Sequence, residues 1–246
     1  MNTFKRYEKK YIITKTQKEK LEKLISSRMV KDKFSSDGGY LIRNIYYDTL
    51  SEDLVHQSIQ KPVFKEKLRL RKYGTYGDLR DEYFLEIKRK YNGVVYKRRV
   101  TLNKSDLQNF LRNKVIPNDI DNVDRQILNE ILYFMEKYII LPNTFISYKR
   151  IAYFDKDNPE FRLTFDYDLF SRKDNYNFDF PFYEKRLIDA DSYIMEVKVS
   201  DSMPLWFTKI LSELKIYGYS FSKYGKSFEL DTLKETILSL DSFKNR

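Results

Sequence analysis

Three stretches between residues 64 and 100 alternate ionic with apolar side chains, and that period of two restricts them to β-strands with chemically opposite faces. In the first, Lys67, Arg69 and Arg71 share one face while Leu68, Leu70 and Lys72 take the other. Glu86, Lys88 and Lys90 oppose Leu85 and Ile87, and Lys97 with Arg99 opposes Tyr96 and Val100. Asn92-Gly93, between the second and third runs, is the strongest short hairpin signal a sequence offers. A hairpin brings the two charged rows onto one side of one sheet. That side is either a solvated basic surface or the lining of a channel that holds a polyanion. A dry lining is excluded. Each buried ion carries a penalty of several kcal/mol, and the row together would exceed the ~5–15 kcal/mol by which a domain is stable. A charged interior must be wet, or occupied by phosphate.

Length and charge narrow the choice. The 246 residues suffice for one large domain with a proper core, and no repeat, linker or low-complexity tract divides them, so residues 1–246 are expected to form a single domain. The 21 Tyr and 18 Phe are more than a disordered chain carries. A net charge of +10 calls for an anionic partner: nucleic acid, an anionic membrane or phosphate compounds. The absence of cysteine excludes disulfides, thiolate metal sites and a cysteine nucleophile, and it is compatible with a reducing cytoplasm. The N-terminus has no signal-peptide core. The most apolar window, residues 131–141, is short and interrupted by Glu136 and Lys137, so no transmembrane segment is expected.

The rest of the chain repeats the theme. Residues 4–13 place Arg6, Glu8 and Lys10 on one face and Tyr7, Lys9, Tyr11 and Ile13 on the other. Thr16 with Glu19, and Ser105 with Gln108, read as capping boxes for helices. Thr49 or Ser51 caps a short helix through Leu54 and Ile59, and residues 122–138 have helical spacing stopped by Pro142. Residues 146–155 and 160–170 form a second antiparallel pair. There Phe161, Leu163, Phe165, Tyr167 and Leu169 face one way, Arg162, Thr164, Asp166 and Asp168 the other. Residues 172–190 read as a long loop or extension. In 194–200, Glu196 and Lys198 oppose Met195, Val197 and Val199. Ser202 caps and Pro204 opens a further helix, and a last one is marked by Leu230, Leu233, Ile237 and Leu240. The fold class is α+β: an antiparallel barrel of about eight strands with helices outside, since closure removes sheet edges and creates an inside.

A strand face so rich in cations, with carboxylates among them, suits phosphates and a divalent metal. Arg forks grip phosphate oxygens bidentately and Lys acts as a point charge, while carboxylates are hard ligands for Mg²⁺ or Mn²⁺. Gly38-Gly39 lacks the Gly-Lys-Ser/Thr of a P-loop. Lys and Arg are spread through the strands rather than along one helix, which speaks against sequence-specific nucleic acid. His56 has no partner for a triad, and Trp206 reads as packing.

Arg6-Tyr7-Glu8-Lys9-Lys10-Tyr11, Ile45-Tyr46-Tyr47-Asp48-Thr49, Lys67-Leu68-Arg69-Leu70-Arg71-Lys72-Tyr73-Gly74 and Leu85-Glu86-Ile87-Lys88 resemble the VTC domain. So do Tyr148-Lys149-Arg150, Arg162-Leu163-Thr164-Phe165-Asp166, Met195-Glu196-Val197-Lys198 and Phe221-Ser222-Lys223-Tyr224-Gly225-Lys226. That domain is the polyphosphate polymerase part of the vacuolar transporter chaperone, within the triphosphate tunnel superfamily, and the resemblance spans residues 4–228. It implies a tunnel in which ATP and inorganic polyphosphate bind, with Mn²⁺ or Mg²⁺ as cofactor. Arg69, Arg71, Lys88, Arg150 and Lys198 would be the catalytic cations. Lys10, Lys67, Lys97, Arg99, Tyr148, Arg162, Lys223 and Lys226 would contact the substrate, the last two at the end where product leaves. Glu196 and Glu8 would hold the metal. Hydrolytic tunnel relatives open with Glu-x-Glu-x-Lys, whereas here Arg6 takes the first acidic place, which favours polymerase over triphosphatase. A non-catalytic polyphosphate-binding module is the other alternative. The regulatory domain and membrane segments of the eukaryotic complex have no counterpart in the sequence, leaving a membrane partner an open expectation.

Overall fold

In the computed structural model of the chain, the described residues are 7–60, 62–75, 77–92, 94–180 and 185–244, without the side chains of 36, 37 and 238–244. The elements are β1 (Tyr7–Thr14), α1 (Lys15–Ile25), β2 (Met29–Lys31), a 3-10 turn (Lys33–Gly38), β3 (Tyr40–Thr49), α2 (Asp53–Ile59), β4 (Phe64–Tyr73), β5 (Tyr83–Tyr91) and β6 (Val94–Leu102). They continue with α3 (Lys104–Asn113), α4 (Asn122–Lys137), β7 (Ile140–Asp155), β8 (Arg162–Arg172), β9 (Lys185–Arg186), β10 (Ser192–Val199), α5 (Leu205–Glu213) and α6 (Lys223–Lys244). Eight strands form one antiparallel sheet in the order β1-β10-β8-β7-β3-β4-β5-β6, with β2 added on β7 and β9 on β8. The sheet curls into a half-barrel with six helices packed around it, the α+β architecture expected from the alternation. Among the described residues β1 and β6, the ends of the path, are not paired with each other.

Period-two alternation decides what each face buries. On the convex side, Leu68, Leu70, Leu85, Ile87 and Val100 pack against Leu107 and Phe110 of α3 and Ile127, Leu128, Ile131 and Phe134 of α4. Tyr11, Ile13, Phe161, Leu163, Phe165, Met195 and Val197 pack against Leu21 and Ile25 of α1 and Phe207 and Leu211 of α5. Burying each such side chain contributes about 1.5–3 kcal/mol. Trp206 meets Phe161 edge-on at 5.7 Å, in the packing role read from the sequence. A third cluster lies on the concave side, where Ile42, Tyr46, Ile146, Tyr148 and Ile194 receive Val55 from α2, Phe221 from the segment before α6 and Tyr224 from α6. It fills part of the concavity and leaves the ionic rows around it.

Several local readings need correction. The box capping α1 is Thr14 with Gln17, not Thr16 with Glu19, and α3 is capped by Asn103 accepting from the Asp106 amide, not by Ser105. Runs of polar residues offer several overlapping caps, and the one chosen is where the preceding strand ends. The Asp48 carboxylate accepts the Leu54 and Val55 amides at 2.8 and 3.0 Å and so caps α2, with Thr49 accepting from Asp53. Pro142 does not stop α4; it lies within β7, opposite Tyr47 where the ladder shifts register. Pro204 is itself the cap residue of α5, without a side-chain cap from Ser202. Asp168 adopts φ 48° beside a second register shift. The irregularity reverses the parity of β8, so Leu169 joins the concave cluster instead of following Tyr167. The hairpin expected at Asn92-Gly93 joins β5 to β6 with Tyr91 opposite Val94. Asn92 takes φ 45°, while Gly93 and Arg6 lie outside the described residues. No helix among the described residues is long and apolar enough to cross a membrane.

Candidate functional site

On β4, β5 and β6 the register stacks ions in rungs. Arg69 lies opposite Glu86 and Glu86 opposite Arg99; one rung along, Lys67, Lys88 and Lys97 are aligned. Glu86, whose side chain is 1% exposed, accepts from Arg69 Nε at 2.5 Å and Arg99 Nε at 2.6 Å. Lys97 Nζ sits 2.6 Å from the same carboxylate and Arg71 Nε 4.0 Å away. Burial acts to raise the Glu86 carboxyl, but Arg69, Arg71, Lys97 and Arg99 hold it well below the usual carboxylate range. Tyrosine hydroxyls accept from the outer guanidinium nitrogens: Tyr46 from Arg69 at 3.3 Å, Tyr73 from Arg71 at 3.1 Å and from Arg99 at 3.3 Å, and Tyr148 from Arg71 at 3.4 Å. Burial, with other cations close by, pushes the Lys67 and Lys97 amines down to about 7. Lys88 forms no ion pair among the described residues.

The opposite half of the concave face is wired differently. Arg150 of β7 donates to both oxygens of Asp166 on β8, at 2.6 and 2.7 Å, and Lys223 at the start of α6 donates to Asp166 at 2.5 Å. Glu196 of β10 takes Arg150 at 3.4 Å, Lys223 at 3.4 Å and Lys10 at 3.5 Å, and Lys10 also reaches Glu8 at 3.3 Å. Burial acts to raise both Asp166 and Glu196, yet Lys223 and Arg150, with Lys10 at Glu196, hold them below the carboxylate range. Burial lowers Lys198, with Arg150 and Lys88 working in the same direction and Glu196 and Glu8 against it. The curl brings the halves within electrostatic reach. Burial and Glu196 act to raise the Glu8 carboxyl, and Lys10, Lys88 and Lys198 overcome them; Lys88 stands on β5, Glu8 on β1.

Helix α6 ties the two halves together. Tyr224 donates to Asp48 at 2.5 Å and stacks on Tyr46 with ring centres 4.9 Å apart. Lys67 Nζ donates to Ser222 Oγ at 3.4 Å, and Lys223 Nζ lies 4.5 Å from the centre of the Tyr148 ring. The helix begins at Lys223, earlier than its apolar spacing indicates, because Ser222 Oγ accepts from the Gly225 amide and caps it.

Of the residues singled out in the sequence, Arg69, Arg71, Lys88, Arg150 and Lys198 share the concave face, as do Glu8, Lys10, Lys67, Lys97, Arg99, Tyr148 and Glu196. Lys223 joins them from α6. Arg162 is in the same row opposite Lys198, but its Nε donates to the Pro159 carbonyl at 3.1 Å and its head lies over Phe154. Lys226 is not brought in; its amine lies 3.8 Å from Glu229 on the outside of the helix. Sequence reading placed Glu86 and Asp166 on the charged face without identifying either as the centre of an ion cluster. Asp48, Tyr46 and Tyr73 were unmarked as partners.

No group of three or more metal-ligating side chains occurs among the described residues. Glu8 and Glu196, neighbours around Lys10, supply two carboxylates, the donor set by which a Mg²⁺-like ion is held when phosphate oxygens and water complete its shell. The pair therefore fits a metal that arrives with a phosphate substrate, not a resident ion in an all-protein cage.

Comparison with known proteins yields a match of the VTC domain model to residues 5–230. No curated protein sequence matches the chain. Among solved structures, a candidate adenylate cyclase from Bacillus halodurans is similar at 16% identity, covering 87% of this chain and 92% of that one, with a TM-score of 0.49. One from Vibrio parahaemolyticus has 10% identity, 92% and 98% coverage and a TM-score of 0.45. A chain of the Schizosaccharomyces pombe Mediator head module has 10% identity, 86% and 91% coverage and a TM-score of 0.44.

Proposed function

We propose, from the premise that this chain belongs to the VTC domain family, that it is a cytoplasmic polyphosphate polymerase working as one domain over residues 1–246. The observation that carries the reading is the convergence of Arg69, Arg71, Lys88, Arg150 and Lys198 on the concave face from β4, β5, β7 and β10. A linear polyanion can lie along such a surface and meet cations at each phosphate. A terminal oxygen of polyphosphate attacks the γ-phosphorus of ATP, the γ-phosphorus bond to the β,γ-bridging oxygen breaks, and ADP leaves with that electron pair. The attacking oxygen is already anionic, so no protein group need remove a proton. What the chain must supply is alignment and cancellation of charge between two polyanions. Arg69 and Arg71 suit the triphosphate, Lys88 and Lys198 the region where the halves meet, and Arg150 the end at Tyr148. Glu196 and Glu8 would hold Mn²⁺ or Mg²⁺, which when bound supplies charge neutralisation at phosphate oxygens.

Incubation with γ-labelled ATP, polyphosphate and Mn²⁺ tests this: label is expected in acid-insoluble polyphosphate together with ADP. Label appearing only as orthophosphate would assign a triphosphatase instead. One observation favours a second reading, a polyphosphate-binding module without turnover. Glu196 is already neutralised by Lys10, Arg150 and Lys223, and a carboxylate so occupied is a weak metal ligand. Glu196→Gln separates the two, since the polymerase is expected to lose turnover while keeping polyphosphate affinity.

A further inference from the structure

Glu66 and Glu86 are buried carboxylates on neighbouring strands, 5% and 1% exposed, that face opposite sides of the sheet. Glu66, on the convex side, accepts from Arg89 at 2.7 Å and from Lys137 at 3.3 Å, and Arg89 also donates to Glu130 at 2.7 Å. Charge there is shared between two carboxylates and their cations. Glu86 is alone. Among the described residues it is the one carboxylate within ion-pair distance of Arg69, Arg71, Lys97 and Arg99. Arg69 meets it through Nε and Arg99 through both Nε and Nη2, while the Tyr46 hydroxyl accepts from Arg69 Nη1 and the Tyr73 hydroxyl from Arg99 Nη2. Those heads are thus gathered and oriented with a surplus of positive charge. Burial, with Arg69, Arg99 and Arg71, pushes the Lys97 amine down to about 7 against the opposing pull of Glu86.

We infer that Glu86 is a resident counter-anion: it gathers Arg69, Lys97 and Arg99 in the ligand-free protein where a phosphate group is received, and its charge limits how tightly the entering polyanion is held. The inference rests on the polyanion reading of the concave face. A phosphate brings more acceptor oxygens than a carboxylate and takes over part of the donors, while Glu86 remains as a nearby like charge. A chain that must advance or leave gains from that limit, because a ligand is passed along only if it is held firmly enough to enter and loosely enough to depart.

The test compares melting temperatures with and without sodium tripolyphosphate at low ionic strength, for the wild type, Glu86→Gln and Glu66→Gln. Both variants are expected to melt lower than the wild type. Only Glu86→Gln should respond to tripolyphosphate with a shift at least about twice the wild-type one, because the ligand replaces the missing charge and meets no resident rival. An equal or smaller shift in Glu86→Gln, or the same enlargement in Glu66→Gln, overturns the inference and leaves the polyanion site standing. No shift in the wild type overturns both. Glu86→Asp, which keeps the charge but withdraws it by one methylene, serves if the Gln variant does not fold. It is expected to melt between the two and to show an enlarged tripolyphosphate shift, and a shift no larger than the wild type's counts against the inference.

Discussion

On the β4-β5-β6 side of the concave face, Arg69, Arg71, Lys97 and Arg99 gather on Glu86, the one carboxylate among the described residues within ion-pair distance of them, with Lys67 and Lys88 on the next rung; on the other side, Lys10, Arg150 and Lys223 are matched by Glu8, Asp166 and Glu196. Both sets are positioned by the same device, strands of alternating parity held in register. They differ in what completes them. The matched half is finished by the protein itself and holds the start of α6 against the sheet. The surplus half is finished by something from outside. Cations in one concavity thus do two jobs, and counting them does not tell which job each does; their partners do.

That contrast can be broken by mutation. Arg69→Ala with Arg71→Ala removes two charged forks from the surplus half. With each charge-assisted contact worth ~1.5–3 kcal/mol, tripolyphosphate affinity by calorimetry is expected to fall by about 3–6 kcal/mol, some hundredfold or more. The ligand-free fold should be little harmed, since repulsion is relieved as well. Asp166→Asn in the matched half should do the reverse. It leaves Arg150 and Lys223 buried with one carboxylate between them, a loss of ~3–5 kcal/mol in stability, read as a drop in melting temperature on the order of 10 °C.

Protons sharpen the comparison further. Lys67 and Lys97 sit at about 7 when the site holds no anion, and a bound polyanion favours their charged forms, raising both toward the ordinary lysine value near 10.4. Binding therefore takes up protons above pH 7. Affinity should fall as pH rises from 7 to 9, by up to about tenfold per unit for each lysine, and calorimetry in buffers of different ionisation enthalpy should report the uptake. Ligand-free stability moves the other way. The unfolded chain binds more protons than the folded one between 7 and the unfolded lysine value, so these lysines make the empty protein more stable as pH rises through that window. The smallest effect belongs to Lys226→Ala. Its amine pairs only loosely with Glu229 on an exposed helix face, so stability should change by less than about 0.5 kcal/mol and tripolyphosphate affinity should stay put.

Much of this was legible in the chain because parity is a local property. Leu68, Leu70, Leu85, Ile87 and Val100 are buried, and Arg69, Glu86 and Arg99 share the other face, as the alternation indicates. Parity fails where backbone geometry breaks it. At Asp168 a left-handed residue turns Leu169 inward, and no composition signal marks that bulge. Ion-pair partners were hidden for a different reason. Asp166 meets Lys223 across 57 positions and Tyr224 meets Asp48 across 176, so the charged faces could be listed while the division into a matched and a surplus half could not. Helix caps at Thr14 and Asn103 were missed because neighbouring polar residues offered equal local claims.

The central claim is that the β4-β5-β6 half of the concave face is an unfinished cation lining that a linear polyanion completes. Melting curves of the wild type with tripolyphosphate or orthophosphate, at equal total phosphate and matched ionic strength, test it most directly. Tripolyphosphate near ~100 Kd should stabilise the fold by about 2.7 kcal/mol, a rise of about 5 °C or more for a chain of this length, while orthophosphate moves the transition by no more than about a degree. Equal shifts from the two anions, or none from either, would contradict the account and return these strands to a solvated basic face.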